Sequence, residues 1–158
     1  MSYTVRRLSL ALGLFSFFSF SNLHAEELLT FENAWAAEAP PVAPVMAGYM
    51  VIKNPTNKEL AITGGHSPSF KTVEVHTMLM REGMMEMKKL DQLAIPAKGE
   101  VTLKPGGLHV MLIKPLKTHK AGDKIKVTFN FTNGKTQTIQ LPVKKRDQAM
   151  KHDHHMHH

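Results

Sequence analysis

Between residues 29 and 143 no apolar run goes far before a turn signal interrupts it, and this punctuation argues against long helices. Tyr49–Ile52 ends at Asn54-Pro55-Thr56-Asn57, Leu60–Thr63 ends at Gly64-Gly65, and a run over Thr72–Met80 ends near Glu82-Gly83. Pro96-Ala97-Lys98-Gly99 and Pro105-Gly106-Gly107 bracket Glu100–Leu103, Leu108–Ile113 stops before Pro115, and Gly122-Asp123 precedes a last pair of strands. Seven or eight short antiparallel strands in about 115 residues predict an all-β domain, either a two-sheet sandwich or a small barrel. The segment Ala36–Pro44 carries three prolines and reads as an extended loop.

The last hairpin can be placed in register. Ile125, Val127, Phe129 and Phe131 alternate with polar residues, as do Ile139, Leu141 and Val143 on the return. A two-residue loop at Asn133-Gly134 would set odd positions opposite even ones, so core residues would face Thr and Gln. A three-residue loop, Thr132-Asn133-Gly134, instead sets Val127 opposite Ile139 and Ile125 opposite Leu141. Gly134 then supplies the left-handed residue of the bulge, and this longer loop is expected.

Composition narrows the chemistry. The chain has 158 residues and no cysteine, so disulfides, thiolate-ligated zinc, iron–sulfur clusters, blue-copper sites and lipidation on an N-terminal Cys are all excluded. Arg6-Arg7 followed by the mostly apolar Leu8–Phe20 and then Ala25 reads as a secretory signal peptide over 1–25, with ordinary cleavage after Ala25. That apolar run is too short to span a bilayer comfortably. No stable membrane insertion is therefore expected after cleavage. Removing two arginines takes the net charge from +7 to +5, and export makes nucleic acid an unsuitable partner for that basicity. The expected organisation is a signal peptide at 1–25, a β-domain at 26–143 and a disordered His-rich tail at 144–158.

Eleven methionines and ten histidines are the unusual part of the composition. Methionine ordinarily fills cores. In the run over 72–80, however, Val73, Val75 and Leu79 already form an inward face, leaving His76, Met78 and Met80 together on the other. The return strand sharpens this. If opposed residues sum to 163, His76 faces Met87, and if they sum to 165, Met78 does; the residues do not choose between the two. His109 and Met111 form a second pair, pointing the same way from a strand whose Val110 and Leu112 face the core. His66 and His119 lie beside turn residues, with no partner legible, and are expected to be solvated.

The spacing of His76, Met87, His109 and Met111 resembles the H-x10-M-x21-H-x-M signature of the periplasmic copper chaperones called PCu(A)C. Asn33-Ala34-Trp35, Ala47-Gly48-Tyr49-Met50, Ile95-Pro96-Ala97 and Leu103–Leu112 resemble the same family, over roughly Leu29–Val143. Thr77 departs from it, standing where the family often has an acidic residue. The resemblance implies a cupredoxin-like Greek-key fold with Trp35 as a buried anchor. It also implies a Cu(I) site made of His76, Met87, His109 and Met111, and delivery of Cu(I) to the CuA centre of cytochrome c oxidase or another copper-transfer protein. The donor chemistry agrees: two thioethers and two imidazoles are soft and neutral, whereas zinc calls for thiolate, imidazole or carboxylate and calcium for oxygen. Methionine also cannot be lost to disulfides in an oxidising compartment. The methionines outside that set, Met78, Met80, Met84 and Met85, read as a thioether-rich rim or as partner-facing surface.

No catalytic triad, carboxylate pair or phosphate loop emerges, so an enzyme is not expected. Other readings are a periplasmic copper buffer, a metal-free adhesion sandwich, and an oxidative copper enzyme using His24 if cleavage fell after Leu23. Finally, His152, His154, His155, Met156, His157 and His158 form a possible second metal site in the tail, where clustered imidazoles suit Cu(II) and also zinc or nickel.

Overall fold

The computed structural model describes residues 29–145. Ten strands occupy this span: β1 (Thr30–Ala37), β2 (Val45–Lys53), β3 (Leu60–Ser67), β4 (Phe70–Arg81), β5 (Met84–Leu90), β6 (Leu93–Ile95), β7 (Glu100–Leu103), β8 (His109–Pro115), β9 (Lys124–Phe131) and β10 (Thr136–Lys144). No helix occurs among the described residues. Seven strands close on themselves in the order β4-β8-β2-β1-β10-β9-β3, with β3 pairing back to β4. The remaining three extend individual edges, β5 on β4, β6 on β3 and β7 on β2. Of the sandwich and the small barrel that the punctuation left open, the chain forms the barrel, in keeping with the all-β Greek-key fold that the family resemblance implies.

One pairing differs from the antiparallel expectation. β1 and β10 run parallel, with Ala36 beside Val143 and Ala37 beside Lys144. The cause is topological: the first and last strands meet to close the barrel and no hairpin joins them. The proline-rich loop is also shorter than expected, since Ala36 and Ala37 finish β1 and are buried.

The core is filled from alternate positions of the barrel strands. Val73 and Val75 of β4, Val110 and Leu112 of β8, Ile125, Val127, Phe129 and Phe131 of β9, and Leu141 and Val143 of β10 are all buried. Met46 and Met50 of β2 join them as ordinary core methionines. The β9–β10 register is the one set by the longer loop: Val127 faces Ile139 and Ile125 faces Leu141. Gly134 has φ 77° and donates to the Phe131 carbonyl.

Two corrections concern burial. Leu79 is not inward-facing; it is 40% exposed. β4 pairs with β8 only as far as His76, and beyond that point its sole partner among the described residues is β5. Residues 77–81 therefore leave the barrel as half of a two-stranded ribbon, and no core exists there for Leu79 to enter. His119 is not solvated; it is buried and stacked on Phe70 with ring centroids 5.3 Å apart. An aromatic partner from a distant strand leaves no local trace in sequence. His66 is exposed, as expected.

Candidate metal centre

The ribbon fixes the first half of the site. Arg81 faces Met84, leaving Glu82 and Gly83 as a two-residue loop. Both have positive φ, 50° and 80°, the signature of a type I′ turn. The opposed residues consequently sum to 165: Met78 faces Met87, Met80 faces Met85 and His76 faces Lys89. Met84 lies opposite Arg81, on the other face from Met85, so the four extra methionines are not one rim.

The second half comes from β8, whose first residue is His109. It pairs directly with His76 of β4, and Met111 pairs with Glu74. Directly opposed residues share a face of a sheet, so His76, Met87, His109 and Met111 all project from one face of β5–β4–β8. The two imidazole centroids lie 5.9 Å apart. This face sits at the barrel rim, where β8 begins and the ribbon departs.

Each imidazole is oriented by an acceptor on one nitrogen. His76 Nε2 lies 2.8 Å from Glu74 Oε2, and Lys89 Nζ donates to the other carboxylate oxygen at 2.9 Å. The His76 bond, and after it the Lys89 bond, hold the Glu74 carboxyl below its ordinary range, so it is ionised at neutral pH. A carboxylate only accepts, so Nε2 carries the proton. Nδ1 is buried and has no partner among the described residues, so it is the nitrogen open to a ligand. In His109 the roles are reversed: Nδ1 lies 3.0 Å from the Gly107 carbonyl, so it donates and Nε2 is left free. A ring with one nitrogen anchored by an acceptor and the other left without a partner is the arrangement in which histidine binds metals.

A cleft of about 490 Å³ opens onto this face. Met87, His109 and Met111 line one side, and Ala37, Glu38, Ala39, Pro40 and Ala43 line the other. His76 does not line the cleft and meets it through its neighbour His109. The proline-rich loop expected from sequence is thus the far wall of the site. A turn bond from Ala43 N to the Pro40 carbonyl and one from Lys114 N to the Pro44 carbonyl fasten it. His109 is buried and Met111 half-buried, while Met87 is 46% exposed. Trp35 is half-buried and tilted against Tyr49, a lesser burial than an anchor role implies.

Among the described residues no three His, Cys, Asp or Glu side chains converge as a metal site. The donors that stand beside the two imidazoles on this face are the thioethers of Met87 and Met111. Glu74 and the Gly107 carbonyl were not singled out from sequence. Glu74 was legible in principle, because it stands two residues before His76 and period two puts both on one face. The tail residues His152, His154, His155, Met156, His157 and His158, and the signal peptide, lie outside the described residues.

Comparison with known proteins fits this geometry. Residues 29–143 match the family described as putative lipoprotein LpqE-like. A putative lipoprotein of Leifsonia xyli subsp. xyli is 30% identical over 113 residues, covering 71% of this chain and 67% of its own. An uncharacterised protein of Rickettsia prowazekii is 27% identical over 125 residues, covering 77% and 69%. The solution structure of Cu(I)-bound DR1885 from Deinococcus radiodurans is similar at 30% identity and TM-score 0.60, over 77% of this chain and 83% of that one. The copper-bound PCuAC domain from PmoF2 shares the fold at TM-score 0.64 and 23% identity, over 77% of this chain and 97% of that domain. The chain belongs to the LpqE-like family and is of the PCu(A)C type, a group of non-enzymatic domains.

Proposed function

We propose that this protein is a periplasmic copper chaperone that carries one Cu(I) on His76 Nδ1, His109 Nε2, Met87 and Met111. Four neutral soft donors suit a monovalent soft cation and leave its charge uncompensated. Affinity is then sufficient for carriage yet can be surrendered to a site with anionic ligands. The observation that carries this reading is the pair of anchored imidazoles, each with one nitrogen left without a partner, on the same face as two thioethers. Relatives whose structures are described as copper-bound support the cargo. The signal-peptide pattern read in residues 1–25 of the sequence supports the compartment.

The acceptor we propose is the dinuclear copper centre of cytochrome c oxidase, whose cysteine thiolates outcompete thioether and imidazole for Cu(I). In the tail, His152, His154, His155, Met156, His157 and His158 would take Cu(II), apart from the barrel site.

X-ray absorption of the Cu(I) form should show both sulfur and nitrogen neighbours. Only nitrogen and oxygen neighbours would overturn the ligand set. Mixing the loaded protein with the apo copper-centre domain should move copper in one direction, to the acceptor. Retention by this protein would instead identify a buffer.

A further inference from the structure

We propose that the projecting ribbon carries a second soft-metal site, made of the thioethers of Met78, Met80 and Met85, that takes Cu(I) or Ag(I) and connects to the barrel site through Met87. The inference rests on the reading of the barrel site as a Cu(I) carrier and extends it to residues with no assigned role.

The register sets these methionines in a two-by-two array. Met78 opposes Met87 and Met80 opposes Met85, all on the face that bears His76 and His109. Opposed Cβ atoms in such pairs lie about 5 Å apart, and successive pairs on one face about 7 Å apart along the strands. Three rotatable bonds let each thioether close those gaps. The type I′ turn at Glu82-Gly83 holds the register, because a slip of one residue would send Met78 and Met87 to opposite faces.

Packing does not account for the residue choice. Met80 is 68% exposed and Met85 51%, and the ribbon has no core beneath it. For strand formation alone, Val, Thr or Tyr would serve better. The opposite face of the ribbon pairs Arg81 with Glu86, Nε to Oε2 at 3.5 Å, and Thr77 with Lys88. Charge is thus kept off the methionine face until Lys89 and Glu74 beside His76. An array of thioethers alone is too soft and too neutral for zinc, calcium or Cu(II), and suits only a soft monovalent ion. Because Met87 belongs to both groups, a cation can step from Met80 and Met85 to the barrel site. At each step one metal–sulfur bond forms as another breaks, and the oxidation state does not change.

The test is an Ag(I) titration of the full-length protein labelled with ¹³C at the methionine methyls. Up to two equivalents, the Met87 and Met111 methyls should shift together as one site. The Met78, Met80 and Met85 methyls should shift together as another. The double substitution Met80→Leu/Met85→Leu, which keeps the apolar area, should abolish the shift at Met78 and leave that at Met111. The buried Met46 and Met50 methyls report that the barrel is intact. If Met78, Met80 and Met85 stay still while Met111 moves, or if the additional ion goes only to Met150 and Met156, the ribbon site is overturned and the barrel site stands. If Met87 and Met111 stay still, the barrel reading fails instead. A ribbon serving only as an apolar docking surface predicts that the leucine variant matches the wild type.

Discussion

Glu74 touches no cargo in the proposed site, yet its charge should be felt there, and the size of the effect can be worked out. Copper on His76 Nδ1 would lie about 6 Å from the Glu74 carboxylate, across the ring and the 2.8 Å bond. At an effective dielectric constant of about 20, a pair of unit charges at that distance attracts by about 3 kcal/mol. Lys89, bonded to the same carboxylate, opposes this with about 2 kcal/mol from roughly 8 Å, but its ammonium is half exposed and water screens it. Replacing a charge-assisted hydrogen bond with a neutral one removes about 1 kcal/mol more once the metal polarises the ring. Lys89 remains in Glu74→Gln and does not offset the loss, so the substitution should weaken Cu(I) binding by about 2–4 kcal/mol, or roughly 30- to 1,000-fold, the lower figure allowing for screening by water at the edge of the site. Lys89→Met should act with the opposite sign, tightening binding by roughly 2- to 5-fold. Competition against a chromophoric Cu(I) chelator measures both, and apo melting temperatures within a degree or two of wild type would show that the fold is unaffected. Equal affinities for wild type, Glu74→Gln and Lys89→Met would refute the placement of copper on His76 Nδ1.

Three further outcomes test the frame around the site. Asn54 is buried and makes four hydrogen bonds, from Nδ2 to the Lys58 and Ile95 carbonyls and at Oδ1 from Thr56 N and Oγ1. Asn54→Ala should cost about 2–4 kcal/mol in urea unfolding. It should leave Cu(I) affinity unchanged, because it lies seven residues from Ala47 along the chain, about 20 Å away. Glu82 has φ 50°, which a side chain with a Cβ tolerates poorly, so Glu82→Asn should stabilise the ribbon by about 1 kcal/mol, read as slower amide exchange in β5. His119 has its pKa lowered from 6.5, first by burial and then by Lys117, with Asp123 opposing. The unfolded chain then takes up the proton before the fold does. The His119 contribution to stability is full above about pH 6.5 and is lost as pH falls below that value through the lowered folded one. His119→Phe keeps the stack on Phe70 and should flatten the dependence of urea midpoint on pH between 7.5 and 5; an unchanged slope would refute this.

What was legible in sequence was local. The β9–β10 register followed from Gly134 and from matching odd positions, because a tight loop and period-two burial together leave one answer. The β4–β5 register did not follow. Its turn places Glu82, an unusual residue at positive φ, where Asn would have announced the type, so sums of 163 and 165 looked alike. The meeting of His76 with His109 is a non-local pairing between β4 and β8, and spacing alone could nominate the residues without bringing them together. Leu79 and His119 were misplaced for a related reason. Whether an apolar residue faces a core, or a histidine meets Phe70, depends on where a distant strand stops.

That stopping point also bears on how the proposed site would both hold and yield its cargo. β8 begins at His109, so His109 and Met111 belong to the closed barrel, and His76 is the last β4 residue paired to it. Both imidazoles are fixed by acceptors, so in the proposed site they would bind without first being ordered. Met87 comes from the ribbon, pairs only with β4 and is nearly half exposed. The donor set is thus divided between a rigid part, which lowers the ordering cost of binding, and one thioether on a two-stranded extension of little independent stability. An incoming ligand meets the weakest and most accessible bond first. In the proposed site release would begin at Met87 while the histidines stay in place, so the barrel would not need to open for copper to leave.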